Sequence, residues 1–362
     1  MTNRLPHLST RLLVWLTGLV VALCVTVALP GCKKKPPRPP VTPYAGPTAG
    51  DAAAFHLTYD PELKLGDIPR PGLDGRGCGA VTDYRAYAHA LSTRAFAACP
   101  SDAPFAKRSA LGESVLAALG VRQLLCGAFH RPVTYRTLDI HEREDGIAVR
   151  VLFRDKWIGN FVAIVRGPRE LSTPRPVILA LHGHSQAPEG FLGDLRDMNA
   201  VRRGYIVAAP AFEAMCTGQA EHDVTQTLLD KGQSILGLRA YQTLVVLRYL
   251  HHLHAVDSRR VGLIGHSGGG TLGNVLIRLA PGAFAAYATD NTSEYRGKHK
   301  ALFTDDMVPA LQPLALEIND FATAGLPVLR MPYGFLDVAT RQPDMERVGD
   351  FFDAHLHPLS NP

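Results

Sequence analysis

The stretch Val261-Gly262-Leu263-Ile264-Gly265-His266-Ser267-Gly268-Gly269-Gly270-Thr271 decides how the rest of the chain reads. Apolar and small residues lead into a glycine-flanked His-Ser pair, and a run with helical periodicity follows over 271–279. That order describes a strand, a sharp turn and a helix. Glycines two before and two after Ser267 let neighbouring backbone close in on a turn that lifts a hydroxyl clear of a sheet. A serine so presented is a candidate nucleophile. The N–H of Gly268, at the helix start, lies where partial positive charge stabilises a developing oxyanion. A nucleotide-binding glycine loop is the rival reading. Gly262, Gly265 and Gly268 are spaced three apart, however, and do not fit G-x-G-x-x-G.

Working outward, Pro176-Val177-Ile178-Leu179-Ala180-Leu181 is a continuous apolar run, as expected of a parallel strand buried on both faces. Residues 205–209 and 260–264 are further such runs, and 283–289 is a weaker one. Helical stretches over 192–203, 233–254 and 271–279 separate them. Strands alternating with helices imply an α/β architecture with a mainly parallel sheet. Shorter β-prone runs at 135–140, 147–153 and 161–165 read as antiparallel entry strands. Towards the C-terminus, 314–318 and 326–331 read as late strands and 344–356 as an amphipathic closing helix. His182-Gly183-His184-Ser185 follows the 176–181 strand, where a main-chain N–H of Gly183 or His184 would supply a second oxyanion donor. His182 itself reads as a structural hydrogen-bonder.

With these pieces in place, the stretch from Arg175 to about Tyr295 resembles the acetyl-xylan-esterase and dienelactone-hydrolase branch of the α/β-hydrolases. The matching segments are Ile178–His184, Arg203-Gly204-Tyr205-Ile206-Val207 and Gly262–Gly270, with Val256-Asp257-Ser258-Arg259-Arg260 as a "D-x-x-R" lead-in to the nucleophile strand. The resemblance implies an α/β-hydrolase fold, carboxylesterase activity without a cofactor, and Ser, acid and His in that chain order. Asp337, in Gly334-Phe335-Leu336-Asp337 after the 326–331 strand, is the preferred acid; Asp320 and Asp290 are the alternatives. His355 is the preferred base, with His357 beside it and His299 as a loop alternative. Another register sets Pro332-Tyr333-Gly334-Phe335 on the usual His-Gly-aromatic segment and Tyr333 at the base's position. A phenol of pKa ~10 is a poor base at neutral pH. That register favours a different class of function, a hydrolase-fold binding module without turnover. Peptidase activity is a third reading.

The first 31 residues read as a leader: Arg4 and Arg11, an apolar run over 12–29, then Pro30-Gly31-Cys32. The ending resembles a bacterial lipobox, which would make Cys32 a lipidated first residue on the extracytoplasmic side of the cell envelope. An uncleaved membrane-spanning anchor is the alternative. Residues 32–54 are a Pro-rich tether, 55–131 a mostly helical extension with helices over 82–98 and 109–125, and 132–362 the hydrolase domain. Cys78, Cys99, Cys126 and Cys216 allow two disulfides, with a bridge inside 78–126 favoured. No Cys-x-x-Cys pair points to a metal, and His251 with His254 on one helix face lacks a third ligand. The net charge of +5 is scattered beyond Lys33-Lys34-Lys35, which argues against a nucleic-acid partner. The expected partners are a small-molecule or polysaccharide ester and, through the lipid, a membrane.

Overall fold

A computed structural model of the chain describes residues 57–63, 109–129, 131–155, 158–212, 215, 225–290, 308–337 and 339–357. By its internal contacts the chain divides into Met1–Pro43 and Tyr44–Pro362. The leader, Cys32 and the helix expected over 82–98 lie outside the described residues.

The strands are β1 (Leu57–Tyr59), β2 (Val133–Glu142), β3 (Ile147–Asp155), β4 (Gly159–Gly167), β5 (Arg175–Leu181), β6 (Ile206–Pro210), β7 (Val256–Gly265), β8 (Ala286–Thr289) and β9 (Val328–Arg330). Among the described residues they form one sheet in the order β1-β2-β3-β4-β6-β5-β7-β8-β9. The half from β6 to β9 is parallel, whereas β2, β3 and β4 form an antiparallel meander that joins it through an antiparallel β4–β6 ladder. Val177 to Leu181 are wholly buried, which is why β5 reads as an unbroken apolar run rather than an alternating one. The carboxyl ends of β5 to β9 all lie at the same end of the sheet, while β1 pairs in parallel with β2 and runs the other way.

Helices cover both faces. On one lie α1 (Ala110–Ala118), α2 (Arg122–Cys126), α4 (Ile235–His251) and α5 (Gly268–Leu279); on the other lie α3 (Pro188–Asp194) and α7 (Met345–Leu356). In α7, Met345, Val348, Phe352 and Leu356 recur at helical spacing and pack on Ile178, Ala180 and Ile264. The Asp344 carboxylate caps its first turn by accepting from the Arg347 N–H at 3.1 Å. Gly262 gives α7 its seat: a Cβ there would fall 2.8 Å from both Leu356 and Phe352.

Three expectations change. The helix expected over 109–125 is two helices, split where Gly120 takes φ +67°. The turn between them docks on α4, where the Ser234 hydroxyl donates to the Leu119 carbonyl at 2.8 Å. The strand expected over 314–318 is helical: a 3-10 turn, Pro309–Leu314, runs into α6 (Ala315–Ile318). Leu311, Ala315 and Ile318 are its buried residues, at i, i+4 and i+7, so the period that wins there is the helical one. The helix expected over 192–203 starts earlier, at Pro188, and ends in the 3-10 turn Leu195–Met198. Cys126 is disulfide-bonded; Cys78, Cys99 and Cys216 lie outside the described residues.

The lead-in to β7 is pinned by charge. The Asp257 carboxylate accepts from Arg259 at 3.1 Å and from Arg260 at 2.9 Å, and Arg260 also donates to the Pro174 carbonyl just before β5. The hydrogen bond from Arg259, foremost, holds the Asp257 pKa down to about 2. A carboxylate with a depressed folded-state pKa stabilises the fold above its unfolded pKa of ~3.9 and ceases to do so as pH falls through the folded value. Asp257→Asn is therefore expected to lower the urea midpoint at pH 7, with the gap to wild type closing between about pH 4 and pH 2. Urea titrations across that range check it.

Candidate active site

Ser267 stands between the last residue of β7 and the first turn of α5 with φ 50° and ψ −119°. A non-glycine residue in that region carries about 1–3 kcal/mol of strain. Its surroundings hold it there. The Ser267 N–H donates to Asp290 Oδ1 at 2.9 Å, and the Ser267 carbonyl accepts from Gly270 at 2.8 Å and Thr271 at 3.1 Å. The His266 N–H donates to the Leu181 carbonyl at 3.0 Å, which joins the ends of β7 and β5. The flanking glycines are needed for close approach. A Cβ on Gly269 would lie 2.1 Å from the Leu181 carbonyl oxygen, and one on Gly265 would lie 2.5 Å from that of Gly269.

Asp290, at the end of β8, is fully buried. Three donors converge on its two oxygens: the Ser267 N–H, the Gly334 N–H at 2.7 Å and His266 Nδ1 in a short contact. The His266 ring lies on Phe191 of α3, centroids 5.8 Å apart.

The loop after β5 brackets the elbow from the other side. Gly183 lies against Ser267, since a Cβ there would sit 2.9 Å from Ser267 Cβ. Its N–H donates to Gln186 Oε1 at 3.2 Å, so this main-chain donor is engaged by a neighbouring side chain. His182 is buried with both ring nitrogens on backbone: Nδ1 pairs with the Gly183 carbonyl at 3.1 Å and Nε2 accepts from the Phe212 N–H at 3.2 Å. That matches a structural hydrogen-bonder. The His184 ring lies against Gly268, the residue after the serine.

Two expected partners are not brought to Ser267. Asp337 turns its carboxylate into its own loop, where it accepts from the N–H groups of Ala339 at 2.9 Å and Thr340 at 2.8 Å. The Thr340 N–H, foremost, lowers its pKa. His355 is exposed and packs on Phe351, one turn back along α7. The reason is helix geometry. The α7 helix begins near the turn after β9 and runs 12 residues, about 18 Å at 1.5 Å each, towards the amino ends of the strands. There His357 rests on Tyr205, just before β6, and burial chiefly lowers its pKa, with Arg260 and Arg175 close by. Asp337 and His355 thus lie away from Ser267; among the described residues the buried carboxylate at the elbow is Asp290, and the imidazoles near it are His182, His184 and His266. Asp320 is exposed and caps the 3-10 turn Phe321–Thr323 through the Ala322 N–H. His299 lies outside the described residues, and the turn containing Tyr333 reaches Asp290 through the Gly334 N–H.

A cleft of about 670 Å³ over β3, β4 and α3 is bordered by Arg150, Arg166 and Glu189. Arg150 is paired with Asp139 and Arg166 with Asp145. Arg166 stands opposite Val207, near the amino end of β6, so the cleft extends away from the elbow. Among the described residues no three His, Cys, Asp or Glu side chains gather as metal ligands, and no helix is long and apolar enough to cross a membrane.

No known protein-family profile matches the chain. A Bacillus subtilis protein named "Putative hydrolase YtaP" is 25% identical over 160 residues, covering 39% of this chain and 52% of that protein. The chain thus spans about half the length of this curated relative. Among solved structures, a "putative acetyl xylan esterase" from Bacteroides fragilis is similar with a TM-score of 0.51, over 82% of this chain and 87% of that one, at 18% identity. At that identity the likeness concerns the fold. The chain has the α/β-hydrolase fold, a mainly parallel sheet flanked by helices, with Ser267 at its strand–helix elbow.

Removing the buried carboxylate takes the shared acceptor from three part-buried donors. Asp290→Ala is expected to cost on the order of 2–4 kcal/mol. Asp337→Asn, whose amide oxygen can still cap the loop, is expected to stay within about 0.5 kcal/mol of wild type. Denaturant midpoints at pH 7 compare the two, and equal effects would contradict this ranking.

Proposed function

We propose that the chain is an extracytoplasmic, lipid-anchored serine hydrolase that cleaves ester bonds with Ser267 as nucleophile. The observation that carries this reading is the Ser267 backbone, a non-glycine residue held at φ 50° between β7 and α5. Strain of that size persists where the surroundings over-determine it, and such positions cluster at sites of chemistry. Attack of Ser267 Oγ on an ester carbonyl would place the oxyanion near the Gly268 N–H, the first residue of α5. The second donor would be the main chain of Gly183 or His184, and for Gly183 this requires Gln186 to release its N–H. Acylated polysaccharides and small envelope esters are the proposed substrates. The sequence resemblance and the name of the similar Bacteroides fragilis protein support them. The basic–apolar–cysteine leader supports anchoring at Cys32.

A second reading, a binding module of the same fold without turnover, is favoured by one observation. Asp337 and His355, the acid and base expected from chain order, are both directed away from the elbow. A fluorophosphonate probe separates the two readings. Labelling of the folded full chain that disappears in Ser267→Ala is the expected result. A folded wild-type protein that takes no label would overturn the hydrolase reading. Incorporation of labelled palmitate in a bacterial host, abolished by Cys32→Ser, is the expected outcome for the anchor.

A further inference from the structure

We infer that His184, in the loop between β5 and α3, is the base that takes the Ser267 proton; the assignment rests on the nucleophile reading above. Among the described residues three imidazoles surround the elbow: His182, His184 and His266. His182 has both ring nitrogens on backbone groups, so it has no lone pair to offer. His266 gives Nδ1 to Asp290 and lies flat on Phe191, on the α3 face of the sheet. His184 is placed differently. A Cβ on Gly268 would lie 2.4 Å from His184 Nε2 and 2.7 Å from its Cδ2. Since a Cα–Cβ bond is about 1.5 Å long, like the Cα–C bond, Nε2 lies within roughly 4 Å of the Gly268 Cα. The residue before it, Gly183, abuts Ser267. Gly183 and His184 therefore bracket Ser267 and Gly268 from across the β5–β7 junction.

The loop is built to hold that ring. Ser185 takes φ 58°, one of five non-glycine residues with positive φ among the described residues, and its N–H donates to the Met215 carbonyl at 2.7 Å. The Met215 methyl closes on the same side of Gly268, 2.9 Å from where a Cβ would be. The ring is half-buried. An imidazole changes charge near pH 6.5, which suits proton exchange at neutral pH.

The step balances without a further reactant. Ser267 Oγ forms its bond to the acyl carbon as its proton passes to His184 Nε2, and the carbonyl electron pair moves onto oxygen. Collapse breaks the ester C–O bond, and His184 returns the proton to the leaving alkoxide. Water then attacks the acyl-enzyme, giving one proton to His184, and Ser267 recovers it as the acid departs. The resulting chain order is His184, Ser267, with Asp290 holding the elbow, unlike the order that the resemblance implies.

The test uses the full chain and p-nitrophenyl acetate, with Ser267→Ala, His184→Ala and His184→Gln beside wild type. We expect His184→Ala and His184→Gln to lower kcat/KM by about 10²–10⁴ and to lose the limb of the pH–rate profile near neutrality. Added imidazole should restore part of the rate to the alanine variant, which a merely structural role would not allow. If His184→Ala retains wild-type kcat/KM while Ser267→Ala is inert, the base assignment falls and the nucleophile stands. A folded His184→Ala protein that imidazole does not revive also overturns it. If wild type neither turns over nor labels, both fall together.

Discussion

A carboxylate sealed from water is costly unless donors surround it. At Asp290 they arrive from three places: the Ser267 N–H at the β7–α5 junction, the His266 ring and the Gly334 N–H after β9. This group ties together the carboxyl ends of β7, β8 and β9. It is also the acceptor that holds Ser267 in a backbone region its side chain disfavours. The close packing nearby follows from that choice. Once the elbow is drawn in towards Asp290, Gly183, Gly265 and Gly269 must let backbone pass at distances that exclude a Cβ.

The parallel half of the fold was legible because burial on both faces leaves β5, β6 and β7 as unbroken apolar runs. The elbow was legible for a local reason: its glycines and its serine are adjacent in sequence. Residues 314–318 were not, because a five-residue apolar run fits a buried strand and a helical turn alike. For the acid, a sequence pattern favoured Asp337, but the Ala339 and Thr340 N–H groups capture that side chain within its own loop. What sets Asp290 beside Ser267 is the pairing of β8 with β7, a tertiary fact with one sequence trace, an aspartate at the end of the strand run. His355 lies away from the elbow because the closing helix carries its end towards the amino ends of the strands, a matter of helix length that the residue pattern does not show. His184 was read for its main chain; its ring's seat on Gly268 depends on the turn at Ser185, which residue type alone does not announce.

The two helical faces divide the work. The α7 helix packs through Gly262 onto the middle of β7 and fills the core beneath the elbow with Phe352 and Leu356. The opposite face carries α5, whose first turn accounts for the Gly268 N–H. Below that turn the Tyr287 hydroxyl bonds the Gly270 carbonyl and the Asn274 side chain, both at 2.8 Å, and burial pushes its pKa far up. A neutral phenol thus props the helix start from inside, so the elbow is fixed from below by packing and from the side by Asp290.

Only 23 positions separate Ser267 from Asp290, and the segment between them is one helix and one strand, α5 and β8, directly after β7. The restraint on the elbow is therefore of low sequence separation compared with the Gly334 contact, which reaches across 44. Loop closure is cheaper over the shorter span, so β7, α5 and β8 can assemble the strained turn early in folding, before β9 arrives to complete the carboxylate's shell. Destabilising substitutions inside this unit would then slow refolding, while those in the turn after β9 would mainly hasten unfolding.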